Sequence, residues 1–472
     1  MRPDRIVPLI IAVALFMENM DSTVIATSLP AIATDIGTNP LALKLAVTSY
    51  LLSLAIFIPA SGWTADRFGA RTVFRAAIAV FVLGSIGCAL SGSLTDFVIA
   101  RIVQGMGGAM MTPVGRMVLV RTISKRELVG AMAWVTTPAL IGPVLGPPVG
   151  GFITTYATWH WIFIINVPIG LIGIVLATRY IPDVRAEHRV RFDLRGMVLA
   201  GLGIAGVAFG LSVLGLNFLP WTVTAALVVG GAIFIAAYLV HARHTPNPAL
   251  DLTLFRIPTF RASVIGGFLF RLGIGALPFL LPLLLQVGFR KTPFQSGLIT
   301  FASAAGAMGM KMAAVTFLRR FGFRNILIIN AVVSAAFLAT CAAFTEATPA
   351  AVMVGLLLIG GFFRSLQFTS INTIAYADID PSRVSRATSL VSVGQQLSLS
   401  AGVAVGALVV ETTLRFHGGG ALTAADFPPA FLVVAAISAL SILIFARLAP
   451  DAGAELANRA PPPVEASDQR AN

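Results

Sequence analysis

The sequence predicts an all-α polytopic membrane protein with fourteen transmembrane helices: two six-helix bundles and an inserted two-helix hairpin. Three observations carry that prediction. First, 57% of the 472 residues are hydrophobic and 11% are charged, whereas soluble domains carry about a quarter charged residues. Second, apolar runs of membrane-crossing length recur along the chain, at 7–30, 45–63, 73–92, 97–118, 128–153, 161–180, 196–216, 221–241, 262–287, 294–318, 325–345, 349–372, 386–411 and 429–448. Third, the turn Arg67-Phe68-Gly69-Ala70-Arg71 returns as Arg320-Phe321-Gly322-Phe323-Arg324.

The repeated turn sets the organisation. Its first copy follows the second span, so its second copy should follow the second span of another half, which then begins near 262. The chain divides into an N-terminal bundle (1–181), a charged linker (182–195), the hairpin (196–241), an amphipathic segment (242–261), a C-terminal bundle (262–449) and a Pro-rich disordered tail (450–472). In the amphipathic segment Leu250, Leu252, Leu254, Phe255 and Phe260 alternate with Asp251, Arg256 and Arg261, which suggests a surface-lying helix. Halves related by such a repeat place a substrate site between them near the bilayer midplane, and their rocking gives alternating access.

The net charge of +13 raises the question of nucleic acid, and the positions of the basic residues answer it. Of the 33 Lys and Arg, only Lys44, Arg290, Lys291 and Arg415 fall on the side opposite the N-terminus, while Arg101, Arg271, Lys311 and Arg364 lie inside spans. The rest share the side of the N-terminus. This positive-inside bias places both termini in the cytoplasm, with the lipid bilayer and its anionic headgroups as the partner and no nucleic acid. Cys88 and Cys341 sit within spans, so no disulfide framework is implied.

Taken in order, the first span carries Glu18 and Asp21 three residues apart, which puts both on one helix face. A charge at mid-bilayer costs about 2.5–3.5 kcal/mol even on the lenient insertion scale, so such residues face protein or water. A buried structural ion pair and a proton- or cation-binding site both fit at this point. After the second span, Gly62 and Gly69 permit close approach or positive φ, and Asp66 with Arg67 and Arg71 can grip a neighbouring helix end. Arg101 in the fourth span cannot shed its proton and needs a carboxylate or several carbonyls. At 1.5 Å per residue it lies at a depth close to that of Asp21, near enough for a direct or water-bridged contact; Arg116 should snorkel to the headgroups. The fifth span is broken by Gly142, Pro143, Gly146, Pro147, Gly150 and Gly151, a hinge, a gasket or plain small-residue helix packing. In the second half Arg271, Lys311 and Arg364 are either tethers to backbone carbonyls or cavity-lining charges, and Glu346 and Glu411 should be solvated at the outer ends of spans.

No GxxxxGK[ST] loop, HExxH or CxxC pair occurs, and no GxSxG stands in a strand-turn-helix setting. The chain therefore reads as no enzyme, with no catalytic residue, metal or cofactor. Energy would come from an ion gradient: a proton entering down 100 mV supplies about 2.3 kcal/mol, enough for roughly a fiftyfold gradient of a neutral solute.

Several strings then resemble one family: MDSTVIATSLP from Met20, GWTADRFGAR from Gly62, RIVQGMGGAMMTPVGR from Arg101, GPVLGPPVGG from Gly142, WHWIFIINVPIG from Trp159, FDLRG from Phe192 and LFRIPTF from Leu254. In order, each at the matching helix end, they resemble the fourteen-helix branch of the drug:proton antiporters in the major facilitator superfamily. The resemblance implies a major facilitator fold in a bacterial inner membrane. It implies that Asp21 is a protonation site, and that Gly62, Asp66, Arg67, Gly69 and Arg71, echoed by Arg320, Gly322 and Arg324, form a loop that latches the halves in the outward-open state. Arg101, Gln104 and Gly105 match a fourth-helix motif that assists proton transfer, and the fifth-span glycines and prolines match the antiporter motif. Ala70 and Thr72 replace basic residues common in the loop. Glu18 stands where relatives often carry an uncharged residue, which favours cationic cargo or a second proton. The expected activity is proton-coupled export of small amphipathic compounds by a monomer. The alternatives are a dedicated exporter of one metabolite, lipid or siderophore, a proton symporter, and a membrane sensor or scaffold.

Overall fold

A computed structural model of the chain describes residues 3–123, 125–182, 192–214, 216, 219–380 and 383–456. Most of the expected linker and most of the expected tail lie outside the described residues. No strand occurs among the described residues, and each of the fourteen expected spans is helical. They are α1 (Pro3–Val24), α2 (Pro40–Phe68), α3 (Ala70–Ala89), α4 (Leu94–Thr122), α5 (Lys125–Tyr156), α6 (Trp161–Tyr180), α7 (Leu194–Val213) and α8 (Trp221–His244). The series continues with α9 (Pro258–Gly288), α10 (Pro293–Phe321), α11 (Phe323–Ala343), α12 (Ala350–Ile374), α13 (Val384–Phe416) and α14 (Ala424–Phe445). By length and composition twelve of these pass as membrane spans among the described residues, and α10 makes a thirteenth when its 62° bend is counted as one span.

Local chemistry sets the ends. The Ser93 hydroxyl accepts from the Asp96 amide to start α4, Asp193 accepts from the Gly196 amide to start α7, and Thr292 with Gln295 forms a capping box at α10. The repeated turns do the same work twice: Gly69 has φ 91° and Gly322 has φ 76°, a conformation costly for residues with a Cβ. Each lets the chain turn sharply into the next helix. Gly62 does neither thing its position suggested, because its φ is not positive and an added Cβ would meet only Met117 at 3.9 Å.

α1 to α6 pack mainly among themselves, as do α9 to α14. The two sets meet along two seams, α2 against α13 and α5 against α10. α7 lies on the first of these, touching both α2 and α13, and α8 packs on the outside of α7.

The segment before α9 departs from the surface-lying helix expected there. Between α8 and α9 only Leu252–Arg256 is helical, as a short 3-10 turn, and Leu250, Leu254 and, at the start of α9, Phe260 are buried in protein. The reason is local: the Tyr238 hydroxyl donates to the Leu250 carbonyl at 2.7 Å and accepts from its amide at 2.8 Å, which draws the strip inward. Asp251 fastens the next step, accepting from the Thr253 amide (3.1 Å) and from Arg383 (2.9 Å), with Arg386 at 3.5 Å.

Burial would raise the Asp251 carboxyl, but the hydrogen bonds from Thr253 and Arg383 and the Arg383 charge hold it below the usual carboxylate value. Its stabilisation is therefore complete above about pH 4 and is lost as pH falls through the lowered folded-state value. Asp251→Asn is expected to cost ~1.5–3 kcal/mol at neutral pH, the worth of hydrogen bonds to a charged group. Melting curves of both proteins should converge in acid; a gap undiminished near about pH 3 would remove this ion pair from the account.

Candidate functional site: a buried charge cluster and a cavity

In the first bundle α1 and α4 bring Asp21 and Arg101 together. Arg101 Nη1 donates to Asp21 Oδ2 at 2.7 Å and to Gln104 Oε1 at 2.6 Å. Gln104 Nε2 donates to Asp21 Oδ1 at 2.8 Å and to Ser85 Oγ at 2.7 Å. Asn166 Nδ2 on α6 completes the ring, reaching Asp21 Oδ1 at 2.8 Å. The guanidinium also lies 4.2 Å from the Tyr50 ring centroid. Asp21 is 0% exposed and Arg101 1%. Both carboxylate oxygens thus have charged or amide donors, the condition under which a buried ion pair persists. Removing the Asp21 charge would leave Arg101 without its counter-charge in a buried site.

Glu18 is placed differently. It is half-buried and accepts from Thr112 at 2.8 Å, and Thr112 lines a cavity of about 830 Å³. That cavity lies between the bundles at the face carrying the N-terminus. Its wall includes Trp63, Asp66 and Arg67 of the first repeated turn, Phe192 and Asp193 before α7, and Val384 to Arg386 at the start of α13. Arg116 is exposed on this wall, so it faces the cavity where a headgroup contact was expected. The first helix therefore ties one acid to Thr112 of the cavity wall and seals the other in the bundle.

Around the mouth, Asp66 pairs with Arg121 at the end of α4 at 2.7 Å, and Arg67 stacks over Trp63, whose ring lies 5.0 Å from that of Phe192. In the second copy Arg324 donates to the Ala446 carbonyl at 3.1 Å and holds a helix end, while Arg320 lies over Phe321. Burial would raise the Asp193 carboxyl, but hydrogen bonds from His241, Gly196 and Ala249 hold it below the usual value.

The opposite face is shut. Gln286 donates to the Thr27 carbonyl at 2.9 Å, the Phe294 amide to Thr155 at 3.1 Å, and Lys44 faces Glu411 at 3.8 Å. Glu411 is only 12% exposed, and not solvated as its place near a span end suggested, because Lys44 and Arg415 draw it in. The fifth-span glycines make the fit possible. A Cβ at Gly146 would stand 2.0 Å from Thr23 Oγ1, at Gly150 2.3 Å from the Val24 carbonyl, and at Gly142 3.0 Å from the Phe16 carbonyl, all on α1. At Gly151 it would stand 2.3 Å from the Pro293 carbonyl of the other bundle. Pro143 and Pro147 sit within an unbroken helix, and the Pro147 carbonyl in turn abuts Gly297. Gly105 does for α4 what these do for α5, meeting the Tyr50 carbonyl of α2.

The three second-half cations are not gathered. Arg271 is 1% exposed and donates to Asn372 at 2.6 Å under the Phe368 ring, Lys311 is exposed, and Arg364 donates to Ser303. None of them lines the large cavity. Asn166 and Ser85 were not singled out from sequence; the signal available was a lone amide in the apolar run Ile165-Asn166-Val167 and a Ser in the apolar third span.

Two helical bundles closed at one face, parted by a cavity at the other and holding a sealed charge cluster, define a polytopic membrane transporter. The Major Facilitator Superfamily profile matches residues 11–250 and 263–468, and the chain belongs to that superfamily. It is 39% identical over 450 residues to a protein of Salmonella heidelberg named MdtD for multidrug resistance, covering 94% of each chain. Among solved structures it is similar to a D-xylose-proton symporter (TM-score 0.67, 16% identity, 95% of this chain and 98% of that one). It is also similar to a bacterial homologue of the human lysosomal transporter Spinster (TM-score 0.66, 15% identity, 98% and 100%). At such identity these two establish the fold.

Proposed function

We propose that this transporter is a proton-coupled antiporter that exports amphipathic compounds, cationic ones among them, across the bacterial inner membrane. The observation that carries the reading is the Asp21 carboxylate, sealed from the cavity and held by Arg101, Gln104 and Asn166. With the basic face taken as cytoplasmic, the conformation is inward-facing: cargo enters the cavity beside Glu18, the bundles rock, and Asp21 meets the outer water. A proton taken there cancels the charge opposite Arg101 and loosens the cluster, which favours return with the proton released inside. The turn around Asp66, Arg67, Gly69 and Arg71 is the latch of the outward-facing state, and here Asp66 is parked on Arg121. The multidrug name of the relative agrees with this cargo class. A single-metabolite exporter drew its support from the second-half cations, which stand away from the cavity in this conformation.

Inside-out vesicles with an acid lumen decide the direction. Adding a cationic dye should discharge the pH gradient; further acidification of the lumen would indicate symport, and no change would leave the chain outside proton coupling. Glu18→Gln is expected to lower apparent affinity for cationic dyes about tenfold, the loss of one charged contact, with neutral compounds affected less than about twofold. Equal losses for both would deny Glu18 a part in selecting charge.

A further inference from the structure

The second bundle has a charge deficit that its own residues do not make good. Between Asp251 and Asp378 the sequence contains one acid, Glu346, and it is exposed in the loop after α11. Yet Arg364 lies about 21 Å into α12 from Ala350 at 1.5 Å per residue, well inside the apolar layer. A guanidinium does not give up its proton, and an uncompensated charge at such depth is expensive. In the first bundle the comparable cation, Arg101, is matched by Asp21.

Arg364 lines a cavity of about 30 Å³ formed by α9 to α12 and α14, together with Ser303, Ser334, Cys341 and Ser438. That volume accepts one water or a single monatomic ion. The polar wall is rich in donors. Ser303 accepts from Arg364 and so has its own hydroxyl proton to give, and no acceptor for it occurs among the described residues. The Ser334 hydroxyl is buried with no hydrogen-bond partner, an uncommon condition for a buried polar group. Ser438 is already committed to the Phe270 carbonyl at 2.7 Å. A guanidinium and two free hydroxyl protons around a one-ion space offer more to an anion than to water, which would bring two protons of its own.

We infer that this cavity is a binding site for a monovalent, chloride-sized anion, held by Arg364, Ser303 and Ser334, which supplies the counter-charge that Arg364 lacks. The site is separate from the large cavity and from Asp21, and its test does not involve transport.

Purified full-length protein in detergent is melted in sodium chloride, sodium bromide and sodium gluconate at equal ionic strength. Chloride and bromide should raise the melting temperature in a saturable way and gluconate should not. Ser334→Ala should weaken the apparent halide affinity about tenfold, and Arg364→Gln should abolish the halide-dependent increment. Should Arg364→Gln fail to fold, Ser334→Ala and the anomalous signal of bromide in crystals, expected beside Arg364, carry the test. Identical melting in chloride and gluconate would overturn the site, as would an increment untouched by Ser334→Ala or a cavity without bromide.

Discussion

Asp21→Asn is expected to reduce proton-driven transport to the level of vesicles lacking the protein, while the chain still inserts and folds. Asparagine retains the size of aspartate and can still meet Gln104 and Asn166, but it leaves Arg101 without a counter-charge in a site that is 1% exposed or less. Breaking one side of a buried pair costs about 3–5 kcal/mol. The remaining contacts of Arg101 with Gln104 and the Tyr50 ring place the cost at the lower end of that range. The double variant Asp21→Asn with Arg101→Gln separates the two effects. Its melting temperature should recover toward wild type, because no charge is then stranded, and coupling should stay absent. Wild-type discharge of a pH gradient by Asp21→Asn would take this carboxylate out of the mechanism.

Gly151→Ala carries the second large effect. The added carbon would stand 2.3 Å from the Pro293 carbonyl oxygen, a distance at which one backbone must move. Pro293 opens α10 and Gly151 belongs to α5, so the strain falls on the seam that closes the face opposite the N-terminus. The conformation shown here should lose population to those in which the seam parts. Only 1.4 kcal/mol is needed for about a tenfold shift. Labelling of Ser385→Cys, in the wall of the large cavity, should fall about twofold to fivefold in the Gly151→Ala background, the effect of a tenfold change in ratio on a state that is the major or an equal partner. Gly355→Ala is the control, since nothing lies within 4 Å of its added Cβ. Unchanged labelling would show that the α5–α10 contact has slack that the close fit denies.

The features read correctly from sequence are those fixed by the bilayer and by backbone geometry. Asp21 and Arg101 could be paired because depth in a helix is a simple function of residue number, and no soluble alternative competes for a charge at that depth. Gly69 and Gly322 were legible as turns because a positive φ selects glycine. What was not legible depends on rotation about helix axes and on side chains without a sequence signature. Nothing in the spacing of Glu18 and Asp21 says that one is held by Thr112 of the cavity wall and the other is sealed among Arg101, Gln104 and Asn166. Asn166 is one amide among apolar neighbours, and its role exists only once α6 lies against α1. Glu411 looked solvated because its partner, Lys44, belongs to the other bundle, more than three hundred residues earlier. The strip from Leu250 to Phe260 has a convincing surface alternation, but the fold offered Leu250, Leu254 and Phe260 an interior, and Tyr238 holds the strip there at Leu250.

The inserted pair of helices gives the molecule a front and a back as seen from the lipid. α7 rides on the α2–α13 junction and α8 shields α7, while the α5–α10 junction carries no such cover among the described helices. A hydrophobic visitor diffusing in the bilayer therefore meets two unlike flanks, one shuttered and one bare. Rocking also reaches the shuttered flank differently, because a helix that touches both moving bodies must slide on at least one of them with every cycle.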